Sequence, residues 1–312
     1  MSTDDTATAF AEVIRSLESG TSAPDPRQDV DTASLVARYP ELSAVSIRDL
    51  GVPVRHGDIA ARLYLPTGAS RGALVWAHGG SFIGGNLDMP EANWVSLVLA
   101  ARGFTVLSVE YTKALFGVHF PVPSLDVLDA WNWAVDNLGV PVTAMHLGGA
   151  SAGANLAAGV GVRLRDGQEQ LPASLVLAYP HLHTRLPEGS AAARAAAETL
   201  DASDRFPQSL IDQIAANYLG PEQSPNDPYA YAAYAELAGM PPMFILNSEC
   251  DEHRYSGEEF AKQAIEAGVA ISVMNEPGSR HGHLDRPHTN EAQRSIAHIA
   301  DWLDPFSRRR SI

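Results

Sequence analysis

Short apolar runs and helical segments take turns along most of this chain, and no other feature limits its fold so strongly. Ala73 to Ala77, Phe104 to Val109, Val142 to Leu147, Leu175 to Ala178, Met243 to Leu246 and Ala270 to Met274 are runs of strand length. Between them lie segments with helical spacing near Ala92 to Ala101, Leu125 to Leu138, Leu156 to Leu164, Gly257 to Ala267 and Glu291 to Leu303. Such alternation predicts a mostly parallel α/β sheet buried between two helical layers. Ahead of it, Val45 to Val54 and Ile59 to Leu65 flank the turn His56-Gly57-Asp58, which predicts an opening hairpin.

Two segments stand outside this rhythm. Residues 1–43 read as one or two helices around the polar joint Ser19 to Pro26, with Phe10, Val13, Ile14 and Leu17 giving the first an apolar face. Residues 181–237, after Pro180, are polar, alanine-rich and helical in pattern, as an insertion would be. The alternating core then comprises residues 44–180 and 238–312, ending in the solvated basic tail Ser307 to Ile312.

Composition narrows the partners. A net charge of −15 over 312 residues argues against nucleic acid or an anionic membrane surface as the main partner. No apolar run approaches the ~18 residues that a spanning helix needs. The single cysteine, Cys250, has no internal disulfide partner, and the first residues lack the basic-then-apolar layout of a secretory signal, so a cytoplasmic setting is expected.

The chemistry concentrates at Leu147-Gly-Gly-Ala-Ser-Ala-Gly-Ala-Asn-Leu156, where Ser151 stands in a Gly-x-Ser-x-Gly pattern between an expected strand and an expected helix. A serine on so sharp a turn needs small neighbours, which Gly149 and Gly153 supply, and its hydroxyl is then exposed. A phosphate loop would instead require Lys-Ser/Thr after the glycines, and none follows. A serine hydroxyl becomes nucleophilic only when a histidine takes its proton, and that histidine needs a carboxylate to orient it. After the run ending at Leu246 comes Asn247-Ser-Glu-Cys-Asp251-Glu252-His253, with Asp251 as the acid and Glu249 and Glu252 as competitors. After the next run comes Gly278-Ser-Arg-His281-Gly282-His283, with His281 as the base and His283 as its rival. His78-Gly79-Gly80-Ser81-Phe82 follows the run Ala73 to Ala77, where glycines let backbone amides turn inward, joining the Ala152 amide as donors to an oxyanion.

These stretches, in this order, resemble the hormone-sensitive-lipase-like branch of the α/β-hydrolase superfamily, bacterial carboxylesterases with a His-Gly-Gly-Gly loop and a Gly-Asp-Ser-Ala-Gly elbow. Val109-Glu-Tyr111, Asn226-Asp-Pro-Tyr-Ala230 and Pro241-Pro-Met-Phe244 add to the match, which covers nearly the whole chain. The resemblance implies an eight-stranded sheet, Ser151 as nucleophile, His281 as general base and acid, and Asp251 as its orienter. It further implies an oxyanion hole at Gly80, Ser81 and Ala152 with Gly79 beside them, no cofactor, and residues 1–43 and 181–237 packed together as a cap. A homodimer through the edge of the last strand is also a property of the family.

The chain departs from the family at Ser81, Ala150 and Ala154, at His283, and in the stretch Thr112 to Pro121, which is longer than its counterpart. Phe82, Phe116 and His283 are expected to touch the substrate, a small to medium carboxylic ester; a lactone, an amide or transfer of the acyl group to an alcohol is the alternative. The family also includes receptors that lost a triad member, but here all three positions hold competent residues. His181-Leu-His183 and His281-Gly-His283 lack a carboxylate or cysteine cluster at ligand spacing, so no metal is expected. Trp131, Trp133, Phe116 and Phe120 read as core or pocket wall, and Cys250 as a small buried filler.

Overall fold

In the computed structural model, which describes residues 3–21 and 31–307, each apolar run becomes a strand. The strands are β1 (Ser46–Val54), β2 (Gly57–Leu65), β3 (Gly72–Ala77), β4 (Phe104–Val109), β5 (Met145–Ala150), β6 (Ser174–Ala178), β7 (Met243–Cys250) and β8 (Ile271–Arg280). They form one sheet in the order β1-β2-β4-β3-β5-β6-β7-β8. The opening hairpin pairs antiparallel, as does β2 with β4, and every later pair is parallel. The helices among the described residues are α1 (Thr3–Glu18), α2 (Thr32–Arg38), α3 (Pro90–Ala101), α4 (Val122–Asn137), α5 (Ala152–Asp166), α6 (Ala191–Ala197), α7 (Gln208–Leu219), α8 (His253–Glu266) and α9 (Asn290–Ser307). Residues 22–26 of the expected joint and 308–312 of the expected basic tail lie outside the described residues.

Strand periodicity builds the two layers. Successive side chains leave opposite faces of the sheet, so Val75 joins Leu107, Leu147 and Ile245 under α4, α5 and α8, meeting Trp131, Leu156 and Phe260. Its neighbours Leu74 and Trp76 join Val106, Val176 and Leu246 on the other face, against Trp94 of α3 and Ile296, Ile299 and Leu303 of α9. None of the described helices is long and apolar enough to cross a membrane.

Two expectations need correction. The expected cap of residues 1–43 divides: Phe10 of α1 packs with the α7 side of the molecule, whereas Leu35 of α2 and the following Leu42 pack with Trp76 and Trp94 in the opposite layer. Strands β7 and β8 also outrun their apolar stretches, by four and six residues. The added residues are polar, and two of them bond across the pair: Asn247 Nδ2 donates to Asn275 Oδ1 (2.9 Å), and the Glu249 amide donates to Ser279 Oγ (3.2 Å). Buried polar groups with partners cost little, so the sheet continues until Asp251 and His281 stand directly at its edge rather than out on loops.

Helix α5 approaches β3 so closely that a Cβ on Gly153 would fall on the Ala77 and His78 carbonyls. Gly153→Ala is expected to cost about 1–3 kcal/mol through overpacking of backbone on backbone. Urea unfolding would check this, and an unchanged midpoint would refute it.

Candidate active site

Parallel strands deliver their carboxyl ends to one edge of a sheet, where ligand sites of α/β folds assemble. Here β3 runs into His78, β5 into Ser151, β6 into Tyr179, β7 into Asp251 and β8 into His281. Ser151 sits between β5 and α5 with φ 52° and ψ −116°, a strained conformation for a residue with a Cβ. Its amide is tied to the Ala178 carbonyl of the neighbouring strand at 2.8 Å. The strain turns Oγ away from the sheet, and the hydroxyl meets His281 Nε2 at 2.9 Å. His281 Nδ1 lies 2.6 Å from Asp251 Oδ2, which sets the imidazole tautomer with its free lone pair toward the serine.

The Asp251 carboxyl is fully buried. Burial alone would raise it, but the facing imidazoles of His281 and His253 reverse this and hold it well below the usual carboxylate range. The competing residues are occupied elsewhere: the Glu249 carboxylate accepts the Gly278 amide at 2.7 Å, and Glu252 accepts Arg205 Nε at 2.8 Å and the Phe206 amide at 3.1 Å. The rings of Tyr179 and Phe206 flank His281, with centroids 5.0 and 4.6 Å away.

The loop after β3 turns through three left-handed residues, Gly80 (φ 118°), Ser81 (φ 52°) and Phe82 (φ 65°). It is closed by Gly84 N–H to the Gly80 carbonyl at 2.8 Å. The amides of Gly80 and Ser81 take no acceptor among the described residues, and both residues line the cavity beside Ser151. Ala152 is the first residue of α5, so its amide has no carbonyl one turn back to donate to. Gly79 is a correction: its amide donates to Glu91 Oε1, so it anchors the loop and has no proton left to offer an oxyanion.

Behind the loop, buried His78 shares Nδ1 with the Gly79 carbonyl (2.6 Å) and Nε2 with the Lys113 ammonium (2.8 Å). Lys113 in turn pairs with Glu110 at 2.7 Å. Burial would raise Glu110, yet His78 and Lys113 together pull it down to about 2. The divergent stretch after Tyr111 therefore braces the glycine loop after β3 from below.

A cavity of about 530 Å³ opens above Ser151. Its polar floor is Gly80, Ser81, Tyr179, Glu91, Asp285 and His281, and its apolar roof is Phe10, Val13 and Leu17 of α1 with Phe206, Leu210 and Ile214. None of the three residues expected to touch the substrate lines it. Phe82 is fully buried because its left-handed backbone turns the ring under the roof, where it stacks on Tyr218 at 3.8 Å. Phe116 points outward and is 71% exposed. His283 is held between Ser248 Oγ (2.9 Å) and Ser295 Oγ (2.8 Å), one nitrogen to each, and faces the β8 to α9 packing.

Sequence reasoning missed Phe206, Tyr179, Glu91 and His253. Tyr179 carries a usable signal, an aromatic directly after a buried strand, and Glu91 follows the glycine loop by eleven positions. His253 and Phe206 carry none. Among the described residues, one group could gather metal-ligand atoms, Asp251, His253 and His281, all within 4.8 Å of one another. Both imidazoles already face the carboxylate oxygens at hydrogen-bonding range.

A family model described as the alpha/beta hydrolase fold matches residues 74–285. An arylesterase of Saccharolobus solfataricus is 28% identical over 249 residues, covering 78% of this chain and 78% of that protein. The carboxylesterase NlhH of Mycobacterium tuberculosis is 30% identical over 240 residues, covering 73% of this chain and 72% of its own length. Among solved structures, an esterase of Pyrobaculum calidifontis superposes with a TM-score of 0.74 at 26% identity, over 95% of this chain and 98% of that one.

Proposed function

The chain belongs to the α/β-hydrolase fold family, in its hormone-sensitive-lipase-like branch, and from that premise we propose that it is a serine carboxylesterase acting through an acyl-enzyme on Ser151. The observation that carries the reading is the hydrogen-bonded series Ser151, His281, Asp251 opening into a cavity beside two amides that lack acceptors. Ser151 Oγ attacks the ester carbonyl carbon while its proton passes to His281 Nε2. The carbonyl oxygen, now anionic, accepts hydrogen bonds from the amides of Gly80, Ser81 and Ala152, and loss of one such donor typically costs about 3–4 kcal/mol in the transition state. His281 returns the proton to the departing alcohol, and the acyl group stays on Ser151. Water then loses a proton to His281 and attacks the acyl carbon; as the intermediate collapses, His281 gives that proton to Ser151 Oγ, and the carboxylic acid leaves.

In this reading the catalytic core is residues 44–180 and 238–312, and the cap is α1 with residues 181–237. The arylesterase and carboxylesterase relatives favour a carboxylic ester, and the apolar roof accommodates its acyl or alcohol chain. A cytoplasmic setting and a homodimer through β8 belong to the same proposal.

The test is hydrolysis of p-nitrophenyl esters from acetate to decanoate, paired with mass spectrometry after treatment with a fluorophosphonate. Turnover with the label on the Ser151 peptide is expected. A folded protein that hydrolyses none of the series and takes no label would overturn the assignment.

A further inference from the structure

The carboxylate that orients His281 has a second imidazole on it. His253, two residues after Asp251 and first in α8, donates its backbone N–H to Asp251 Oδ1 at 2.9 Å and sets Nδ1 3.3 Å from the same oxygen. The two imidazoles lie 4.5 Å apart at 35°, and Phe206 covers both, with its centroid 4.5 Å from His253 and 4.6 Å from His281. His253 is fully buried, and its Nε2 has no hydrogen-bond partner. A buried ring nitrogen without a partner is tolerable as a bare lone pair but costly as an N–H. That places the proton on Nδ1, directed at Asp251.

We propose that His253 is a positioning residue that draws charge from the Asp251 carboxylate and thereby extends ester hydrolysis to lower pH. The proposal rests on the esterase reading above. A carboxylate whose second oxygen accepts a side-chain N–H in addition to the backbone amide is a weaker partner for an imidazolium. His281 then releases its proton more readily and remains a competent base in more acidic solution.

The groups that face His253 agree with a neutral ring. Burial and the charge His281 acquires both push its imidazole below the ordinary histidine range, against the opposite pull of Asp251 and Glu252. His181, after β6, meets it edge-on at 4.9 Å and is pushed down by burial and by the other imidazoles. Glu252, immediately before α8, is paired with Arg205 of the segment before α7.

The test is the pH dependence of kcat/KM for p-nitrophenyl butyrate with the intact chain, His253→Leu and His253→Asn. In the leucine variant the midpoint of the acid limb is expected to rise by about half to one pH unit. Activity below the midpoint then falls about three- to tenfold while KM on the plateau is unchanged. Asparagine, which restores an N–H donor, is expected to recover most of that shift. A leucine variant whose acid limb coincides with that of the intact chain would overturn the proposal, as would a uniform loss at every pH. NMR of the intact protein with ¹⁵N-labelled histidine gives a reading that needs no variant: a His253 proton on Nδ1 is required, and the Nε2–H tautomer would refute it. Turnover by the intact chain with dependence on Ser151 tests the esterase reading separately, so either idea can fail without the other.

Discussion

Ser151→Ala is expected to lower kcat for ester hydrolysis by about 10⁴-fold or more, with KM nearly unchanged. Alanine removes one oxygen and leaves the elbow intact, because the turn is held by the Ser151 amide on Ala178 and by glycines that admit the β3 carbonyls, none of which involves Oγ. The cavity, the Gly80 and Ser81 amides and the apolar roof all persist, so substrate should still bind. What disappears is the atom that forms the covalent bond, and the remaining rate comes from water in a site that still stabilises the oxyanion. Asp251→Asn is expected to cost a comparable factor by a different route, since an amide in place of Oδ2 can hold His281 in the wrong tautomer. Steady-state kinetics on one ester with both variants checks this. A serine variant retaining more than about a hundredth of the activity would remove Ser151 from the mechanism, since losing a lone nucleophile is worth several factors of ten.

Stability is expected to collapse in mild acid. His146 is pushed down by burial to about 3, His183 to about 4, and His283 by burial and the charge of His281 to about 3. His78, His181 and His253 are lowered as well, burial leading in each. The sign follows from linkage: the unfolded chain takes up protons at these imidazoles below about pH 6.5, whereas the folded chain does not until far lower. Their contribution is therefore complete above pH 6.5 and is lost as pH falls toward 4. Each imidazole kept neutral costs about 1.4 kcal/mol per pH unit in that window, so the first three alone approach about 4 kcal/mol per unit. Against a typical total of about 5–15 kcal/mol, cooperative unfolding should set in near pH 5. Urea midpoints at pH 7.5, 6.5 and 5.5 measure it, and a flat series would show that these side chains protonate in place. Because this loss is global, the His253 pH profiles belong above the unfolding range of each variant.

Much of the layout could be read from the chain because it depends on local periodicity. Buried parallel strands must be apolar on both faces, and Ala73 to Ala77 or Leu175 to Ala178 can be little else. The order of serine, acid and histidine was equally legible, since each follows a strand. The ends of β7 and β8 were not, because Asn247 to Cys250 and Asn275 to Arg280 look like loop until their cross-strand partners are known. Phe82 was misread for a related reason: adjacency to a glycine loop says nothing of where the side chain goes once the backbone turns left-handed. Helix α2 shows only one buried apolar side chain, Leu35, which is too little to specify a layer. His253 was invisible since an imidazole two residues past a carboxylate looks like any polar helix start.

The segment before α7 is fastened to the catalytic edge at two points: Arg205 pairs with Glu252, the residue after Asp251, and Asp204 pairs with Arg280, the residue before His281. Each clasp grips the immediate neighbour of a residue in the proposed relay, and Phe206, next along the segment, covers the His281 ring. On the proposed mechanism, substrate preference and turnover are thus inherited together. A new roof grafted in to admit a bulkier ester would also re-aim the proton relay, so selection for altered specificity has to retain, or reinvent, both clasps.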